Sequence, residues 1–246
     1  MLGLLVGSFL NVVIHRVPLK QSVIRPRSRC PGCGTQLAER DNIPVVSWLL
    51  LRGRCRTCAM PIPPRYPLVE LLTGALFALV GLRFGADWAV PAYLVLVAAL
   101  VAISFIDLEH YIVPNRIVVA TLALGVPLLA LAAATDHRWI DLRDAGFGLV
   151  LGFGLLLLIH LISPRGMGMG DVKLAAVLGL YLGFLDLGHV LLGVFLGFVL
   201  GSVGGITLLA TGLRTRKDHI PFAPFLASGA VLAVLLGGPI LDRYSR

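Results

Sequence analysis

IVVATLALGVPLLALAAAT, residues 117–135, runs for 19 residues without a charge. A helix of that length comes close to crossing a bilayer's hydrocarbon layer, which takes about 20 apolar residues at ~1.5 Å of rise each. Gly188–Leu213 is a second run of the same kind. Across all 246 residues, 57% are hydrophobic and 14% are charged, whereas a soluble domain has about a quarter of its residues charged. A soluble α/β core would need alternating polar faces, and none are present. The residues describe an all-α polytopic membrane protein.

Working outward, apolar segments at 1–15, 66–84, 90–107, 113–134, 145–163, 172–186, 189–211 and 221–241 predict about eight transmembrane helices. Asp186 and His189 mark the break between the sixth and seventh. The opening run, Met1–Ile14, covers only roughly 21 Å of the ~30 Å layer. Its helix therefore begins outside the lipid core, or the natural start lies upstream. No secretory signal is read in it, because Arg16 follows the apolar run and no small-residue cleavage site is evident. Three regions result: a first transmembrane helix at 1–15, a loop at 16–65, and a seven-helix membrane domain at 66–246.

The net charge of +8 is concentrated in the loop, where ten Lys or Arg face only Glu39 and Asp41. A nucleic-acid surface would also be basic. In a membrane protein, however, short basic loops stay in the cytoplasm, so the partner read here is the lipid bilayer and not nucleic acid. That places the N-terminus outside. By alternation, the loops carrying Arg116, Arg165 with Lys173, and Arg214 to Lys217 lie inside. Loop 135–144, which balances Arg138 and Arg143 against three aspartates, falls outside. Asp107, ending the third helix, and Asp171, beginning the sixth, then share the inner membrane boundary.

Ionisable groups in or near hydrocarbon are costly and usually functional. Two carboxyls brought close cannot both ionise cheaply, so one holds a proton while the other stays anionic. Aspartic proteases work this way: the anion takes a proton from water and the neutral acid polarises the scissile carbonyl. The pair titrates as a unit, so neither role belongs to one residue. Gly166, Gly168 and Gly170 lack a Cβ, which leaves room beside Asp171 for an extended substrate strand. The same glycines also read as a loose turn before a helix capped by Asp171. Glu70, one turn into the second helix, reads as a partner for a substrate amine, as a group that tunes the dyad, or as a helix-start acid favoured by the macrodipole. Lys173 reads as a substrate-side cation paired with an acid or as a side chain snorkelling to the interface. His160 reads as an interior hydrogen-bonded residue. Pro221 and Pro224 open the last helix, and Trp48 and Trp139 suit membrane interfaces.

Cys30-Pro-Gly-Cys33 and Cys55-Arg-Thr-Cys58 are two knuckles holding the chain's only four cysteines. Cytoplasmic disulfides rarely persist, and four thiolates suffice for a tetrahedral structural zinc. A redox pair is the other reading. Zinc would fix a loop that has no apolar core of its own, and its basic side chains could meet acidic headgroups.

Rival proteolytic motifs are missing. No His-Glu-x-x-His zinc site and no Gly-x-Ser-Gly serine site appear. The chain resembles the type IV prepilin peptidases, membrane aspartic proteases with a Gly-x-Gly-Asp signature. The resemblance is carried by GSFLNVVIHRVP (7–18), RSRCPGCG (27–34), DNIPVVSWLLLRGRCRTC (41–58), PRYPLVELLTG (64–74), FIDLEHYIVPN (105–115), GMGMGDVKL (166–174) and IPFAPFLASGA (220–230), in family order. It implies that Asp107 and Asp171 are the catalytic dyad, and that the basic leader of prepilins or pseudopilins is cut at the cytoplasmic face of a bacterial inner membrane. It further implies Gly before the cut, usually Phe after it, and N-methylation of the new terminus with S-adenosylmethionine. Glu109 and Asn115 stand where many members have aspartate, and several residues usual before the first motif are missing. The competing reading is an ion- or proton-coupled transporter using both acids. It leaves the four cysteines unexplained. A zinc-bound scaffold leaves the acids unexplained.

Overall fold

The computed structural model describes residues 1–164, 166–212 and 220–244. Of the inward charges named above, Arg165 and Arg214 to Lys217 lie outside that set. Among the described residues the chain forms α1 (Leu2–Arg16), α2 (Val46–Leu50), α3 (Arg65–Phe84), α4 (Val90–His110), α5 (Asn115–Thr135), α6 (Trp139–Ile162), α7 (Met169–Gly183), α8 (Leu187–Ala210) and α9 (Ala223–Tyr244). A bilayer offers backbone groups no water, so spanning segments become helices that satisfy themselves. Among the described residues, pairing between extended segments is limited to two isolated bridges, Arg29–Gln36 and Arg54–Pro61.

The eight predicted apolar segments are thus eight helices, but only six (α3, α4, α5, α6, α8 and α9) are long and apolar enough to cross a membrane. Helices α1 and α7 have 15 residues each, about 22 Å at ~1.5 Å per residue. A count of eight crossings therefore does not follow from the helices. The reason is plain for α7. It is packed against α5, α6, α8 and α9, and every residue from Leu174 to Gly183 is buried. A helix enclosed by other helices has no lipid thickness to match.

The chain divides into two units, Met1–Leu82 and Arg83–Arg246. In the first, α1 lies directly on α3. A Cβ on Gly7 would stand 2.6 Å from Glu70 Cα, and one on Gly3 2.8 Å from Gly74 Cα. The Asn11 amide donates to the Tyr66 carbonyl at 3.1 Å across this seam.

In the second unit, small residues four apart let helix backbones touch, the association device of membrane helices. Gly148 and Gly152 of α6 face Gly179 and Gly183 of α7, where a Cβ on Gly179 would collide with the Gly148 carbonyl oxygen. Gly193 and Gly197 of α8 meet Gly229 of α9 in the same way. One end of the unit is closed by Arg138, which binds Asp87 at 3.1 Å and Asp141 at 2.6 Å and lies over the Phe184 ring at 4.9 Å. Toward the same end, the Tyr93 hydroxyl donates to the Tyr181 carbonyl and the Tyr181 hydroxyl to the Thr121 carbonyl, each at 2.9 Å. These bonds lock α4, α7 and α5. Helix α4 starts at the Arg138 end and α7 finishes there, so the C-terminus of α4 and the N-terminus of α7 share the opposite end.

Candidate active site

At that opposite end the fold holds two acids. Asp107 sits one turn from the close of α4, where Tyr111 turns left-handed (φ 56°) and donates its N–H to the Asp107 carbonyl. Pro114 then sets up α5. The Asp107 side chain is buried, and its Oδ2 accepts the amide of Ala223, the first residue of α9, at 3.1 Å. Asp171 lies in the first turn of α7, also buried, with its amide donating to the Gly168 carbonyl at 3.1 Å. The two carboxyls lie within electrostatic reach of each other.

The segments carrying the acids also touch. A Cβ on Gly170 would come 2.9 Å from Val113 Cβ, so glycine is what lets the turn after α4 rest on α7. Lys173 Nζ donates to Asn115 Oδ1 at 3.1 Å in the same seam, near the surface. His160 Nδ1 donates to the Met167 carbonyl at 2.8 Å, tying α6 to the glycine turn. Gly166 and Gly168 are exposed, leaving an open edge beside Asp171. None of the three turn glycines has a positive φ, so their use is close approach and not an unusual backbone.

Of the residues singled out in the sequence, Asp107, Asp171, the glycine turn and Lys173 lie together at this end of the second unit. Sequence reasoning did not find the Ala223 amide, although the prolines flanking it, Pro221 and Pro224, signalled a helix start. Nor did it find Val113, for which no local signal exists.

Glu70 belongs to the first unit. It is buried, and its Oε2 accepts the Val45 amide at 2.7 Å, with the Ser8 side chain as a further partner. Its contacts hold a turn in which Val45 has φ 62°, rare for a β-branched residue.

The cysteines converge in the same unit. Their four Sγ atoms lie within 4.8 Å of one another, and Cys30 and Cys58 are 3.7 Å apart. Sulfurs around one tetrahedral zinc at ~2.3 Å would be separated by about 3.8 Å. The two knuckles repeat one design. Cys30 N–H donates to the Thr35 carbonyl and Cys55 N–H to Met60, and Gly34 and Ala59 both turn with positive φ. Thr35 hydrogen bonds pull the Cys33 thiol down to about 6. At Cys58 the Met60 amide pulls downward, but burial and the other three sulfurs outweigh it and push the thiol up to about 11. One sulfur is ready to ionise while another resists, as expected of a cluster that needs a cation to hold four thiolates.

A helical membrane protein with paired carboxyls at one end of its bundle and a four-cysteine loop defines a narrow class. Residues 1–84 match the Bacterial Peptidase A24 N-terminal domain, and residues 94–206 match the Type IV leader peptidase family. Proteins named prepilin leader peptidase/N-methyltransferase are 48% identical over 218 residues in Myxococcus xanthus (strain DK1622), 38% over 271 in Stutzerimonas stutzeri and 36% over 243 in Bacillus subtilis (strain 168). These alignments cover 86%, 99% and 98% of this chain, and 62%, 91% and 94% of the relatives. No solved structure matches. The chain belongs to the type IV leader peptidase family, and the relatives favour proteolysis over transport.

Proposed function

We propose that the protein is an aspartic endopeptidase that removes the basic leader of type IV prepilins or pseudopilins at the cytoplasmic face of a bacterial inner membrane, with its N-terminus outside. The observation that carries this is the burial of Asp107, at the close of α4, and Asp171, at the start of α7, at one end of the second unit. The scissile amide enters between the carboxyls along the open edge of Gly166 and Gly168. The anionic carboxyl takes a proton from water as that water attacks, and the protonated one donates to the carbonyl oxygen. Gly170 holds the two segments in register. Lys173, through Asn115, steadies the rim. A substrate helix must unwind locally, because a helical amide is shielded by its own hydrogen bonds.

Cys30, Cys33, Cys55 and Cys58 would hold a structural zinc, whose chemistry is to cross-link the loop and neutralise thiolates. No proteolytic step runs through it. The relatives' name carries N-methyl transfer as a second activity, for which the family resemblance implies S-adenosylmethionine as donor. Among the described residues there is no strand–turn–helix cradle for such a cosubstrate, so that step is assigned to no residue.

The test is cleavage of a prepilin by the purified protein in nanodiscs, read by N-terminal sequencing of the product. The expected product lacks its leader. An intact prepilin after prolonged incubation with folded protein would end the reading.

A further inference from the structure

The four-cysteine loop carries an apolar face that proteolysis leaves unused. In α2, Val46, Leu49 and Leu50 stand at i, i+3 and i+4, on one side of the turn. They are exposed at 48%, 61% and 78%, and Ile43 just before them at 50%. The other side packs inward. Ser47 is buried and donates to the Arg40 carbonyl at 2.8 Å, and Trp48 Nε1 donates to the Ile62 carbonyl at 3.1 Å. Four large aliphatic side chains clustered on a charged loop mark a contact surface.

The hydrogen bond from Val45 to Glu70 sets the depth of that face. Glu70 lies five residues into α3, whose 20 residues match the ~30 Å hydrocarbon layer. Five residues amount to about 7.5 Å of descent, and helical side chains lean back toward the N-terminus. Val45 is therefore level with the first two turns of α3, just inside the acyl boundary. Exposed Arg40, Arg52 and Arg54 flank this segment in the sequence. Apolar side chains flanked by arginines are the pattern of elements that lie in a membrane surface, with the arginines matching anionic headgroups.

We propose that residues 43–50 are an interfacial anchor: Ile43, Val46, Leu49 and Leu50 enter the acyl boundary of an anionic phospholipid leaflet while Arg40, Arg52 and Arg54 meet its phosphates. This needs only that α3 crosses the bilayer, and it stands apart from the proteolytic reading. The anchor fixes the height of the cysteine loop above the membrane.

The experiment places p-benzoylphenylalanine at Leu50, an exposed position, in the full chain reconstituted in nanodiscs of phosphatidylethanolamine and phosphatidylglycerol. After irradiation, mass spectrometry should find phospholipid adducts, at least threefold more than in all-phosphatidylcholine discs. No lipid adduct, or adducts only to a second copy of the chain, would overturn the anchor. Equal yield in the neutral discs would overturn its assignment to anionic lipid. As a second readout, Leu49→Asp with Leu50→Asp should speed trypsin cleavage after Arg52 at least tenfold in the anionic discs, and an unchanged rate counts against the proposal.

Discussion

Replacing Gly170 by alanine tests how closely the two acid-bearing segments must be held. A Cβ there would stand 2.9 Å from Val113 Cβ and 3.1 Å from Val113 Cγ2, against ~3.5–4.0 Å for an unstrained carbon contact. The segments must separate by roughly 0.5–1 Å to relieve it. Asp171 follows directly on one side and Asp107 precedes Val113 on the other, so the shift falls on the carboxyls. Displacing reacting groups by about 1 Å costs on the order of 10²-fold in rate. Alanine is also the better helix former by up to ~1 kcal/mol, so the variant should stay folded. Single-turnover cleavage of a prepilin in nanodiscs should therefore fall by about 10²-fold with little change in Tm. Val113→Gly removes both crowding carbons, leaving Val113 N as the next neighbour at 3.5 Å. The double variant should recover most of the loss, as coupled neighbours do. Full activity in Gly170→Ala alone, or no recovery in the double variant, would refute the reasoning.

Four further outcomes are expected. Zinc should be present at about one ion per chain by elemental analysis of protein purified under reducing conditions, as four cysteines make one tetrahedral site. After chelation, iodoacetamide at pH 7 should modify Cys33 before Cys58, since a thiol near 6 is largely thiolate there and one near 11 is not; equal labelling rates would contradict this. Gly179→Val should lower the midpoint of thermal unfolding, because its side chain meets the Gly148 backbone, whereas Gly154→Val, with open space at its Cβ, should not. Lys173→Ala loses one near-surface hydrogen bond, worth ~0.5–1.5 kcal/mol, so cleavage should slow by less than about tenfold.

What could be read in the sequence was what the bilayer or a metal imposes locally. Lipid demands long apolar runs, so all eight large helices were legible. The two acids stood out because so few charges interrupt those runs, and the paired Cys-x-x-Cys spacing is set by a small coordination sphere. The helix seams went unread: Gly148 with Gly152, Gly179 with Gly183 and Gly193 with Gly197 carry a four-residue spacing, but which helix each meets is a tertiary fact. The shortness of α7 was not legible, because an enclosed helix and a lipid-facing one are equally apolar. The Val113–Gly170 contact, the Ala223 amide on Asp107 and the strained Val45 under Glu70 all join residues far apart in the chain, and no local pattern announces them.

The account rests on two carboxyls acting as one catalytic unit, and single-turnover cleavage by Asp107→Asn, Asp171→Asn and the double variant measures that directly. Each single variant should lose on the order of 10⁴-fold or more, and the double variant should lose no more than either, as groups that act together do. A single variant within tenfold of the parent, or losses that multiply in the double, would contradict it.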